Sequence, residues 1–177
     1  FPTRRSSDLN DIFVSCRSEQ KTDKHLEKKA KIYDSVGDIG PLGGIISALK
    51  KLNINTETDK IYDVFVIACD LPNLNDKIIN TLFLAYKKTK IDVKTKAITF
   101  FNTKRGHIEP LCSIYKYEIL KDLEFSVQNK VYCPNKILSN LDGVVKIDLL
   151  KKDEIENLEN MNTPAQYFER TNENLAL

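Results

Sequence analysis

The chain has 177 residues, enough for one ordinary domain, with 41% hydrophobic and 29% charged residues and no disorder-like imbalance between the two. Twenty-seven basic residues against 25 acidic ones leave a net charge of +2, which gives no electrostatic reason to expect a nucleic acid partner. The longest apolar run, Val64 to Cys69, stops at Asp70, far short of the ~20 residues that span a bilayer, so no membrane partner is expected either.

Four cysteines, Cys16, Cys69, Cys112 and Cys133, are widely spaced and form no C-x-x-C pair, a pattern that fits reduced thiols and a cytoplasmic setting. The single methionine is Met161, and residues 1–9 (FPTRRSSDL) lack any helical or strand period. They resemble translated adapter sequence more than a signal peptide. The expectation is therefore a non-native lead over residues 1–9 and a single domain over residues 10–177.

From residue 11, short apolar strands alternate with amphipathic, lysine-rich stretches of helical length, the signature of an α/β architecture. Asp11 to Cys16 reads as a core strand and Lys31 to Tyr33 as a shorter one, with the polar stretch Gln20 to Lys29 between them. Four of the six glycines fall between Ser35 and Gly44, marking a loop where backbone approaches something closely. Ile45, Ile46, Leu49 and Leu52 then carry a helix with one apolar stripe.

Tyr62 to Cys69 has the continuous hydrophobicity of a central strand covered on both faces. Asp76 is placed to cap a helix through Tyr86, with Lys87 and Lys88 in its last turn. Strands follow at Ala97 to Phe101 and Leu111 to Tyr115, separated by a turn at Lys104-Arg105-Gly106, and Tyr117 to Leu123 reads as helical. Residues 124–142 are poorly patterned. Val144 to Asp148 reads as a late edge strand and Pro164 to Arg170 as a terminal helix with proline in its first turn.

In an open α/β sheet, ligands bind beyond the carboxyl ends of the strands, and three places there carry polar residues. Asp70 ends the most hydrophobic strand; a fixed carboxylate there suits Mg²⁺ shared with phosphates, while a turn-capping role before Pro72 is the plainer alternative. Gly40-Pro41-Leu42-Gly43-Gly44 opens a helix and can offer backbone N–H groups to an anion or a base edge, or it can be a tight connection and nothing more. It is no P-loop, because the G-K-[ST] ending is absent. Asn160 and Asn162, two apart, face one side if their segment is extended. With two histidines, His25 and His107, and no nucleophile elbow, a catalytic triad is disfavoured.

Taken together, D-S-V-G-D-I-G-P-L-G-G-I-I-S-A-L from Asp34, V-F-V-I-A-C-D-L-P from Val64, E-P-L-C-S-I-Y from Glu109 and N-M-N-T-P from Asn160 resemble the molybdenum cofactor guanylyltransferase family of the nucleotidyltransferase superfamily. The resemblance implies a three-layer α/β/α Rossmann-like fold with a mostly parallel sheet. It implies transfer of GMP from GTP to the phosphate of Mo-molybdopterin, with release of pyrophosphate. By motif, Asp70 is the catalytic residue that holds Mg²⁺ and contacts nucleotide. Ser15, Asp34, Gly40, Pro41 and Leu42 lie on the nucleotide side, and Asn160 and Asn162 on the pterin side. Family members often have asparagine where Ser15 stands. Molybdopterin-delivering or molybdoenzyme-specific proteins are the implied protein partners.

One family segment is not found here: the opening strand and L-x-G-G-x-S-x-R-M-G-x-x-K loop that wraps the triphosphate. The expectation is a fold without its first strand-loop-helix unit, and a chain that is inactive by itself for want of that loop. A cytidylyltransferase or another nucleotidyltransferase is the alternative within the superfamily. A non-catalytic molybdopterin carrier is the alternative outside it.

Overall fold

The computed structural model describes residues 11–20, 30–54, 61–161 and 163. It divides into two compact units, Phe1–Tyr62 and Asp63–Leu177, considered in turn. The polar stretch after Gln20, through Lys29 and including His25, lies outside the described residues, as do Asn162 and the expected helix at Pro164 to Arg170.

In the first unit, β1 (Phe13–Cys16) pairs in parallel with β2 (Ala30–Tyr33), with Ser15 opposite Ile32 and Cys16 opposite Tyr33. Helix α1 (Pro41–Asn53) packs on both strands. Leu42, Ile45, Ile46 and Leu49 are at most 2% exposed, and burying each contributes about 1.5–3 kcal/mol. The helix is latched at its far end by Asn53, whose amide nitrogen donates to Tyr62 O at 3.0 Å while its oxygen accepts from Tyr62 N at 2.8 Å.

The second unit is built on a four-stranded sheet in the order β3-β5-β4-β6. Its strands are β3 (Val64–Ile67), β4 (Ala97–Asn102), β5 (His107–Tyr115) and β6 (Val144–Leu149). β4 and β6 run parallel, and β5 is antiparallel to both of its neighbours. Parallel pairs therefore occur in both units, and the architecture is α/β as expected.

Two expectations about this sheet are corrected. The strand read over Tyr62 to Cys69 is shorter and lies at one edge of the four-stranded sheet, with Ile67 44% exposed. The inner strands are β4 and β5; Ala97, Ile98, Thr99 and Phe100 are all buried, the continuous burial that a strand covered on both faces requires. β5 also begins four residues earlier than expected, because Ile108 is buried ahead of the polar Glu109.

Helix α2 (Asp76–Thr89) sits on β4 and β5 through Ile78 and Leu82. Asn75, and not Asp76, caps it, its side-chain oxygen accepting from Ile78 N at 3.1 Å. Asp76 occupies the first turn, where its charge complements the macrodipole. Phe83 meets Phe65 edge to face at 5.2 Å. After a 3-10 turn at Tyr117–Ile119, α3 runs over Leu120–Gln128 and α4 over Pro134–Ser139, so the weakly patterned stretch holds regular structure. The short helix α5 (Lys152–Glu156) buries Ile155, and Leu158 follows it into the core around Phe100, Cys112 and Leu149.

Candidate active site

In the first unit, the glycine-rich loop brings the expected nucleotide-side residues to the carboxyl ends of β1 and β2. Asp34 leaves β2 with its N–H donating to Cys16 O at 3.2 Å, and its carboxylate accepts from the Ser15 hydroxyl at 3.1 Å. Ser35 is tied to α1 by the buried Ser47, whose Oγ accepts from Ser35 N at 2.8 Å.

Gly40 precedes the helix with φ +66°, a conformation that favours glycine, and Pro41 occupies the first turn. Pro41 has no N–H, and Gly43 N–H turns back to Gly40 O at 3.0 Å, so Leu42 supplies the first-turn amide that lacks an intrahelical acceptor by position. The Leu42 side chain is wholly buried, leaving its backbone as the part able to meet a ligand.

Gly44 was not among the expected site residues. A Cβ there would fall 2.5 Å from Ser15 Oγ and 3.4 Å from Asp34 Oδ1, so the missing side chain is what lets the helix settle over this pair. The crowding of glycines was the available signal. Its target could not be read without the strand register.

In the second unit, Asp70 lies three residues past β3, and its carboxylate has no hydrogen-bond or ion-pair partner among the described residues. Its carbonyl accepts from Met161 N at 2.9 Å, which brings the Asn160 segment beside it. Asn160 is exposed. Among the described residues there is no group of three or more histidine, cysteine or acidic side chains able to hold a metal by themselves. A lone carboxylate nonetheless fits Mg²⁺, which binds through one or two carboxylates and takes its other ligands from substrate phosphates and water.

A further polar cluster stands at the same end of the sheet. Glu109 Oε1 lies 3.3 Å from His107 Nε2 and 3.5 Å from the amide nitrogen of the buried Asn102. Burial pushes the Glu109 carboxyl up from its ordinary range, with His107, Asn102 and Arg105 opposing that shift. Deeper along β5, burial and the Glu109 charge push the Cys112 thiol up to about 12. All four cysteines are free; Cys69 and Cys133 are exposed, Cys16 and Cys112 buried.

Residues 3–143 match the family described as the MobA-like NTP transferase domain. The chain belongs to that family. The match takes in the glycine-rich loop, Asp70 and the E-P-L-C-S-I-Y segment, the motifs that carried three-quarters of the resemblance read from sequence. Among curated relatives, a molybdenum cofactor biosynthesis bifunctional protein of Synechocystis is 27% identical over 157 residues, covering 88% of this chain and 40% of that protein. A probable molybdenum cofactor guanylyltransferase of Clostridium perfringens is 29% identical over 161 residues, covering 88% of this chain and 72% of that one.

Among solved structures, the Archaeoglobus fulgidus molybdopterin-guanine dinucleotide biosynthesis protein A matches with a TM-score of 0.65 at 22% identity, over 93% of this chain and 78% of that one. At that identity the likeness speaks to the fold, which is the nucleotidyltransferase fold expected for MobA-like chains. No helix among the described residues is long and apolar enough to cross a membrane.

Proposed function

We propose that the protein is a molybdenum cofactor guanylyltransferase, joining GMP from GTP to the phosphate of Mo-molybdopterin and releasing pyrophosphate in the cytoplasm. The observation that carries the reading is the Met161 N to Asp70 O hydrogen bond of 2.9 Å, which sets a carboxylate without a partner among the described residues beside the segment whose motif resembles a pterin site. The names of the Clostridium and Archaeoglobus relatives point the same way.

In this reading, an acceptor phosphate oxygen attacks the α-phosphorus of GTP in line with the departing pyrophosphate. Such transfers depend on positioning and charge neutralisation more than on a protein nucleophile. Ser15, Asp34 and the Leu42 amide take the nucleoside end of GTP, with Gly40 and Pro41 shaping that turn. Asn160 and Asn162 orient the pterin. Asp70 holds Mg²⁺, which when bound supplies charge neutralisation on the nucleotide phosphates.

Nucleotide competition on the full-length protein tests the reading. GTP should support pyrophosphate release with Mo-molybdopterin, and support by CTP alone would assign the protein to the cytidylyl branch. Genomic DNA upstream of codon 10 separates enzyme from carrier: an in-frame L-x-G-G segment fits the enzyme, and a start codon near residue 10 fits the carrier.

A further inference from the structure

Among the described residues, polar contacts hold the segment leading to Asn160 within the second unit. Asn73 donates its side-chain N–H to Glu156 O at 3.3 Å, and Met161 N donates to Asp70 O at 2.9 Å. Between them, Arg105 Nη2 meets Glu159 Oε1 at 2.9 Å, on the residue immediately before Asn160. Two of these anchors come from the loop that carries Asp70. The third comes from the β4–β5 turn, which the expected site did not include.

That turn is fixed by several hydrogen bonds of its own. Asn102, 1% exposed at the end of β4, accepts Arg105 N–H on its side-chain oxygen at 3.1 Å and Gly106 N–H on its carbonyl at 2.8 Å. Its amide nitrogen reaches Glu109, and Thr103 Oγ1 donates to Leu149 O at the end of β6 at 2.7 Å. Arg105 is thus presented from a pre-ordered backbone, which reduces the conformational entropy an exposed ion pair must otherwise overcome. Glu159, with its side chain 28% exposed, is the more enclosed partner, and a charge-assisted contact at 2.9 Å is of the strong kind.

We propose that Arg105 is a positioning residue for the acceptor substrate: through Glu159 it fixes the backbone that presents Asn160, and so sets affinity for the pterin without touching GTP. The inference rests on the proposed pterin role of Asn160.

The test uses the full-length protein and metal-free molybdopterin as the anaerobic probe, with GTP binding, amide exchange at Met161 and thermal melting measured on the same variants. Arg105→Ala should speed Met161 exchange and weaken molybdopterin about three- to fivefold, as loss of one partly exposed ion pair allows, with GTP affinity unchanged. Arg105→Lys should recover most of the loss. The charge-swapped pair Arg105→Glu with Glu159→Arg should bind the probe better than either single variant. Unchanged exchange and probe affinity in Arg105→Ala would overturn the proposal, as would an equal loss of GTP binding, or a wild-type protein that does not bind molybdopterin. A wild type that binds molybdopterin with this Arg105 dependence yet transfers no GMP would instead sink the guanylyltransferase reading and leave the role of Arg105 standing.

Discussion

A methyl group placed on Gly44 would fall 2.5 Å from the Ser15 hydroxyl oxygen, the same atom that donates to Asp34 at 3.1 Å. Helix α1 and the Ser15–Asp34 pair therefore share one space. Gly44→Ala should turn the Ser15 hydroxyl away from Asp34 and weaken GTP binding about tenfold. Stability should change little, because alanine's helix preference of about 1 kcal/mol over glycine offsets the local adjustment. Isothermal titration with GTP alongside a thermal melt checks both halves.

Asp70 makes its structural contact through its carbonyl, to Met161 N, and that bond survives replacement of the side chain. Asp70→Asn should melt within a few degrees of the wild type while pyrophosphate release falls by about 100-fold or more, the scale for removing a group that stabilises developing charge. Raising Mg²⁺ should restore part of the rate if the carboxylate acts through the ion.

Much of this was legible in the sequence, and its limits have physical causes. Asp70 could be singled out because it ends a clear apolar run, and Asn160 because it stands two residues from Asn162 in a segment with a family resemblance. Their proximity could not, since it depends on how Ile155 and Leu158 pack into the core around Cys112. The edge position of β3 was hidden for a related reason: its composition matches that of an inner strand, and composition reports burial without reporting strand order. Asn75 and Asp76 are both good caps, and only the backbone at Asn75, with φ −128° and ψ 169°, decides between them. Glu109 opens the E-P-L-C-S-I-Y motif, but its grouping with Asn102 and His107 was not legible, because hairpin register brings the three together.

Glu109 gives the protein a pH signature. Burial raises its carboxyl above the ordinary value of 4.5, so the folded state holds this proton more tightly than the unfolded one does. The resulting stabilisation is full below that value and is lost as pH rises through the raised one. Glu109→Gln removes the ionisation while keeping an acceptor for Asn102. It should melt higher than the wild type at about pH 8, with the difference vanishing below the ordinary carboxylate range, as followed by thermal melts across pH.

The four thiols should divide by exposure. A disulfide-exchange reagent at neutral pH should label Cys69 and Cys133 within minutes, while Cys112, pushed up to about 12, and the buried Cys16 should react only on unfolding. Mass mapping of the labelled peptides checks the assignment. Because Cys69 adjoins Asp70, saturating GTP with Mg²⁺ should slow its labelling and leave Cys133 unaffected.

The most direct test of the central claim is pyrophosphate release by the full-length protein supplied with Mo-molybdopterin, Mg²⁺ and either GTP or CTP. Release with GTP, abolished by Asp70→Asn, together with recovery of the guanine dinucleotide is the predicted result. Release with CTP and none with GTP, or binding of molybdopterin without release from either nucleotide, would contradict it.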